Sequence, residues 1–185
     1  MSFSKTSLFR IDNRAWLMVC LVAAAAAASA QEFRVESFGG RYGLSFGDQR
    51  GSFTEGEGFV DLNLPWGWDL GSSWNLQTKL NASAGWLGGN SQESLVASIG
   101  PALSLRPARF PLSVEGGVSP TYLSDYIFGK WNFGTAFQFT SYIGVNLDFT
   151  KHLRLGYRFQ HMSNAGLSAN NPGLNMNMFA LSYVF

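Results

Sequence analysis

A histidine and a serine stand two residues apart near the end of the chain. They belong to the segment HMSNAGL at residues 161–167, and His161 is one of only 2 histidines in the protein. Side chains at positions i and i+2 of a β-strand share one face, so an extended segment would bring the imidazole beside the hydroxyl. An imidazole that takes the hydroxyl proton makes serine a nucleophile toward an ester carbonyl, and backbone amides can hold the oxyanion. The pair is therefore a candidate for acyl-transfer chemistry, with His161 as general base and Ser163 as nucleophile.

Such a pair needs a third group that orients the imidazole. Asn175 begins the last alternating segment of the chain and shares the parity of Phe179 and Phe185. This parity places Asn175 across a hairpin from His161, where its amide oxygen can accept the imidazole N–H. The alternative interpretation is a histidine at a membrane interface followed by a serine and an Asn-Ala-Gly turn. The His-x-Ser spacing alone fits both interpretations.

Strands must position these residues, because the chain shows period-two alternation of apolar and polar residues rather than helical periodicity. Stretches of about ten residues recur between clusters of Gly, Asn, Asp, Ser and Pro, as in proteins built from short strands. The pattern predicts eight strands, at residues 32–46, 57–66, 74–86, 94–106, 112–124, 133–149, 152–163 and 175–185.

The last two predicted strands indicate what the two faces of the sheet contact. Large apolar side chains occupy every odd position from Leu153 to Phe159, whereas Arg154 and Arg158 lie on the opposite face. Two arginines would be costly in the apolar core of a soluble sandwich, the alternative fold. In a membrane-spanning barrel they point into a polar interior while the apolar face contacts lipid. We therefore predict an all-β protein, an eight-stranded antiparallel transmembrane β-barrel of the outer membrane.

An eight-stranded barrel has an interior that side chains fill. By their parity, His161, Ser163 and Asn175 face outward near the ends of their strands. Aromatic residues near strand ends predict girdles at the two membrane interfaces. These are Trp66, Trp68, Trp74, Trp86, Trp131 and Tyr126.

Composition narrows the class of protein. Charged residues are 14% of the chain, against ~25% in soluble domains, and aromatic residues are 15%. The mean hydropathy of +0.01 excludes a bundle of transmembrane helices. A net charge of +1 excludes a polybasic nucleic-acid binder. The 2 histidines and 1 cysteine do not assemble a metal site, and we expect no cofactor.

Residues 1–30 carry the features of an export signal. Lys5, Arg10 and Arg14 precede an apolar run, and Ala28-Ser29-Ala30 is a typical cleavage site. We predict that residues 1–30 are a cleaved signal peptide and that residues 31–185 form a single barrel domain. Cleavage removes three cations, one acid and the only cysteine, which leaves a net charge of about −1.

The HMSNAGL segment, the following Pro172-Gly173 and a final strand that ends in Phe resemble the lipid A 3-O-deacylase (PagL) family. Weaker similarity covers residues 111–117 and 143–145. The resemblance implies an outer-membrane enzyme that hydrolyses the ester at the 3-position of lipid A, without a metal. It implies His161 as base and Ser163 as nucleophile, and Asn164, Ala165 and Gly166 stand where the family places its oxyanion groups. The implied partners are lipopolysaccharide as substrate, outer-membrane lipid and, in a homodimer, a second copy of the chain.

One position departs from the family. Its third triad member is a Glu, and the matching residue here is Asn175. Asparagine can fix the imidazole tautomer but adds no charge, so we expect a slower triad or a carboxylate from a loop, for which Asp125 is the candidate. The departure keeps two other hypotheses open, a non-catalytic outer-membrane barrel and an outer-membrane phospholipase.

Overall fold

The computed structural model of the chain describes residues 33–46 and 52–185. The predicted signal peptide lies outside these residues. Within these residues, ten strands follow one another. They are β1 (Arg34–Ser45), β2 (Phe53–Leu70), β3 (Trp74–Gly89), β4 (Gln92–Pro107), β5 (Leu112–Leu123), β6 (Ile127–Phe128), β7 (Trp131–Asn132), β8 (Phe137–Asp148), β9 (Leu153–Ser163) and β10 (Leu174–Val184).

Eight of these strands form a closed barrel in the order β1-β10-β9-β8-β5-β4-β3-β2. Every neighbouring pair is antiparallel, and β10 closes the barrel against β1, from Ser37 opposite Val184 to Ser45 opposite Met176. The predicted all-β, eight-stranded antiparallel barrel is confirmed. No helix in the described part of the chain is long and apolar enough to cross a membrane.

The prediction of one continuous strand at residues 133–149 is wrong. Strand β8 begins only at Phe137, and Trp131 pairs with Phe128 in a separate small hairpin of β6 and β7. Phe133 is 1% exposed because it turns into an apolar cluster. The Gln138 amide donates to the carbonyl oxygens of Phe133 and Thr135, which holds the chain in this bend before β8.

The two faces of the barrel wall differ as the alternation predicts. In β9, Leu153, Leu155 and Tyr157 are exposed outward, whereas Arg154 and Arg158 are buried inside. The Glu57 carboxylate compensates two buried arginines, since its Oε1 lies 2.8 Å from Arg41 Nε and 2.8 Å from Arg158 Nη2. Shared ion pairs of this kind make a charged interior tolerable, because each buried charge keeps a partner.

Side chains fill the interior, as predicted for eight strands. Lys79 Nζ lies 2.7 Å from Glu36 Oε2 and 3.0 Å from Glu115 Oε2, which links three strands across the lumen. A cavity beside Arg41 and Tyr142 has a volume of about 30 Å³. This is the space of roughly one water molecule.

The two ends of the barrel differ in their connections. Short turns join β2 to β3, β4 to β5 and β8 to β9, and we call this the turn end. Longer connections, residues 124–136 and 164–173, lie at the other end, the loop end. There the interior is apolar. Buried apolar side chains pack together there, and we call them the apolar cluster. Its members are Phe53, Leu87, Val96, Leu123, Phe128, Phe133, Met162, Leu174, Met176 and Met178.

The prediction that the aromatic residues near strand ends form girdles is confirmed for three of them and wrong for two. Trp66, Trp74 and Trp86 are exposed on the outer surface, as a girdle requires. Tyr126 and Trp131 instead pack against the apolar cluster at the loop end. The loop that carries them folds over the mouth of the barrel, so their rings cover the interior rather than face lipid.

Candidate active site

The hairpin of β9 and β10 positions the three predicted catalytic residues. His161 lies directly opposite Asn175 in the register of the two strands, and Ser163 is the last residue of β9. All three side chains are half-buried on the outer face, whereas Met162 and Leu174 beside them are buried in the apolar cluster. The predicted outward direction of His161, Ser163 and Asn175 is therefore confirmed. The apolar cluster packs on the inner side of the same strands.

The imidazole of His161 is held by Asn175. The His161 Nδ1 atom lies 2.7 Å from Asn175 Oδ1. An amide oxygen only accepts hydrogen bonds, so Nδ1–H donates and Nε2 keeps its free electron pair. This tautomer is the one that a general base needs.

Ser163, the predicted nucleophile, lies beside His161 but is not hydrogen-bonded to it. Ser163 is two residues from His161 on the same face. Among the described residues no hydrogen bond joins the Ser163 hydroxyl to His161. Such bonds are often long before substrate binds and shorten in the reacting complex.

Gly173 restricts the position of the imidazole, a role that the sequence analysis missed. It is buried and has a φ of +68°, in the left-handed region that favours glycine. A Cβ atom at this position would lie 2.9 Å from His161 Cε1 and 3.6 Å from Nε2. The Gly173 backbone therefore lies against the ring edge that carries Nε2. The sequence signal was the Pro172-Gly173 pair immediately before the last strand.

The residues after Ser163 form a tight turn. Leu167 N–H donates to the Asn164 carbonyl oxygen at 3.0 Å, and φ is +52° at Ala165 and +84° at Gly166. Two positive φ values at the central positions are typical of a type I′ turn. The Asn-Ala-Gly turn of the alternative interpretation thus exists, and it follows Ser163 directly. Ala165 is held there in a conformation that costs an L-residue about 1 kcal/mol.

Asn164 ties this turn to the rest of the loop end. Its side chain is 0% exposed. The Asn164 Nδ2 group donates to the carbonyl oxygens of Phe133 at 2.8 Å and Asn170 at 2.7 Å, and Oδ1 accepts from Gly166 N–H at 2.9 Å. Its own backbone N–H donates to Asn171 Oδ1 at 3.0 Å. The side chain therefore joins the turn to both long loops.

The three residues predicted to hold the oxyanion differ in the availability of their N–H groups. Those of Asn164 and Gly166 already have acceptors within the loop. The N–H of Ala165 has no acceptor among the described residues, and Ala165 is exposed.

Asp125 does not reach the site. Its carboxylate accepts from Ile127 N–H at 3.0 Å, and its N–H donates to Ser94 Oγ at 3.0 Å, which anchors it beside β4. In the described chain Asp125 forms no hydrogen bond or ion pair with His161. The described residues also contain no group of three or more His, Cys, Asp or Glu side chains that could hold a metal ion.

Comparison with known sequences gives one consistent family. Residues 55–184 match the sequence profile of the family described as lipid A 3-O-deacylase (PagL). The chain is 32% identical over 126 residues to the lipid A deacylase PagL of Bordetella bronchiseptica, an alignment that covers 65% of this chain and 70% of that protein.

The fold agrees with a solved structure. The crystal structure of the outer membrane enzyme PagL superimposes with a TM-score of 0.70 at 20% identity, covering 80% of this chain and 99% of that chain. At this identity the match shows the shared barrel fold. Together with the profile and the 32% identical relative, it shows that the chain belongs to the lipid A 3-O-deacylase (PagL) family.

Proposed function

We propose that this protein is a lipid A 3-O-deacylase, a serine esterase that releases a 3-hydroxy fatty acid from lipopolysaccharide. The observation that carries the proposal is the 2.7 Å hydrogen bond from His161 to Asn175 beside Ser163, on the outer face of a barrel of this family. A polar triad on a mostly apolar, lipid-facing surface needs a role, because polar groups there are costly.

The reaction uses protein groups and water. His161 Nε2 takes the proton of Ser163, whose oxygen attacks the ester carbonyl carbon. The Ala165 N–H is the first candidate to donate to the oxyanion of the tetrahedral intermediate, because it has no acceptor in the loop. His161 then protonates the sugar oxygen as the ester bond breaks. Water, deprotonated by His161, hydrolyses the acyl-serine, and the serine oxygen regains its proton.

The barrel sets the orientation of the substrate. Barrels of the outer membrane have short turns in the periplasm and longer loops outside, and this general rule supports an outer-leaflet position for the loop end and Ser163. The acyl chain then lies along the apolar outer face below Ser163, beside Phe159. The sugar headgroup lies above, at the level of the loops.

Asn175 in place of a glutamate predicts a slow enzyme. The amide orients His161 but supplies no negative charge to stabilise the imidazolium that forms in the reaction. This departure also favours the competing hypothesis, a barrel of this family that is not catalytic.

Mass spectrometry of lipid A from cells that express the protein tests the proposal. We expect loss of one 3-hydroxyacyl chain with wild type, and intact lipid A with Ser163→Ala and His161→Ala. The same extract reveals a phospholipase as lysophospholipid. Intact lipid A from cells in which wild type is inserted in the outer membrane would support the non-catalytic barrel.

A further inference from the structure

A depression lies between the two long loops at the loop end. Its volume is about 500 Å³, and it separates the β6–β7 hairpin from the chain that follows Ser163. We call it the loop depression, and it is lined by Lys130, Trp131, Asn132, Ala169, Asn170, Asn171 and Pro172.

The lining of the loop depression suits an anionic sugar phosphate. It contains one cation, three asparagine side chains and an indole, and no carboxylate. Lys130 is exposed and forms no salt bridge or hydrogen bond with a described residue. Of the described residues in the loop-end connections, Lys130 is the one lysine or arginine. The Trp131 Nε1–H is buried and lacks an acceptor in the described part of the chain.

Hydrogen bonds join the walls of the depression to the turn that follows Ser163. Asn171 Oδ1 accepts from the backbone N–H of Asn164, the residue after Ser163. The Asn164 side chain bonds to Asn170 on one wall and to Phe133, next to the hairpin, on the other. Gly134 brings the walls together, since a Cβ there would lie 2.6 Å from Ser168 Oγ. A group bound in the depression is thus held in fixed relation to the nucleophile.

We infer that the loop depression is the headgroup subsite, in which Lys130 binds a phosphate of the lipid A headgroup and Trp131 and the asparagines contact the sugar. The inference rests on the proposed function, because the acyl chain that enters from the lipid side leaves the headgroup at this level. A lysine ammonium is a compact charge that binds phosphate without bidentate geometry.

Binding to Ser163→Ala protein tests the subsite without turnover. We compare the Ser163→Ala protein with the Ser163→Ala, Lys130→Gln double variant in detergent. For each protein the affinity is measured for lipid A that carries its phosphates and for enzymatically dephosphorylated lipid A. We expect Lys130→Gln to weaken binding of the phosphorylated lipid about fivefold and Lys130→Glu to weaken it further, as for one exposed charged contact. Lys130→Arg should bind like wild type, and the dephosphorylated lipid should not distinguish the variants.

The matched control is Lys151→Gln, which removes an exposed lysine at the turn end. Equal weakening with both lipids, or no weakening with either, would overturn the subsite. Hydrolysis by the Ser163-containing protein is measured separately. If the protein hydrolyses lipid A but the Lys130 substitutions do not change lipid binding, the subsite is refuted and the esterase proposal stands. If binding depends on Lys130 and on the phosphates but no hydrolysis occurs, the esterase proposal is refuted and the subsite stands.

Discussion

Replacing Asn175 by aspartate tests whether this residue limits the rate. Aspartate has the shape of asparagine, so a carboxylate oxygen takes the position that now lies 2.7 Å from His161 Nδ1. The change adds the charge that the family's glutamate supplies and keeps the hydrogen bond. Asn175→Ala removes the acceptor altogether.

The size of the effect follows from this geometry. Two opposite charges about 4 Å apart in a medium of effective dielectric ~20 attract by about 4 kcal/mol, which is an upper bound. Because His161 and Asn175 are half-buried, solvent screens part of this, and about 1.4 kcal/mol is a realistic gain. That corresponds to a kcat about tenfold higher for Asn175→Asp. Asn175→Ala loses a hydrogen bond of about 1 kcal/mol and should be about fivefold slower.

The assay is release of 3-hydroxy acid from lipid A by purified protein in detergent, with kcat and KM determined separately. Asn175→Glu tests the family's own residue at this position. Asn177→Asp is the matched control, because it adds the same charge two residues further along β10, where Asn177 bonds to the Tyr157 hydroxyl instead. Rates of Asn175→Asp and Asn175→Ala within twofold of wild type would refute the role of Asn175 in orienting His161.

Three further substitutions test other parts of the structure. Gly173→Ala should lower kcat more than tenfold with little change in KM, because its methyl group would push the His161 ring. The control Gly71→Ala, with nearly the same φ of +69° and open space around it, should leave kcat unchanged. Asn164→Ala removes three hydrogen bonds and should destabilise the folded loop end by about 3 kcal/mol, measured by hydrogen exchange of the loops; exchange like that of wild type would contradict the network. Glu57→Leu leaves two buried arginines without their shared carboxylate and should lower the free energy of unfolding by about 3–5 kcal/mol, measured by urea titration in lipid vesicles, and an unchanged midpoint would contradict it.

The hairpin of β9 and β10 was predictable because its features are local in sequence. Alternation in β9 and β10 decides which side chains face outward, since a strand places successive residues on opposite faces. Two strands joined by one loop pair with each other, so the parity of Asn175 put it on the same face of the hairpin as His161, and the folded register places the two residues directly opposite each other. The same alternation predicted that Arg154 and Arg158 point inward.

The loop end was not predictable in this way. The alternation predicts that Phe133 begins a strand, yet Phe133 is buried in the apolar cluster at the mouth of the barrel. Its carbonyl oxygen accepts a hydrogen bond from the side chain of Asn164, 31 positions away in sequence. Lys130 and Asn171 likewise meet at one depression although they belong to different loops. Loops lack a periodic pattern, and their conformation depends on which distant groups satisfy their buried donors and acceptors. The sequence thus determines the barrel and the outward direction of His161, Ser163 and Asn175, whereas the folded loops decide which N–H groups after Ser163 have acceptors and which residues line the loop depression.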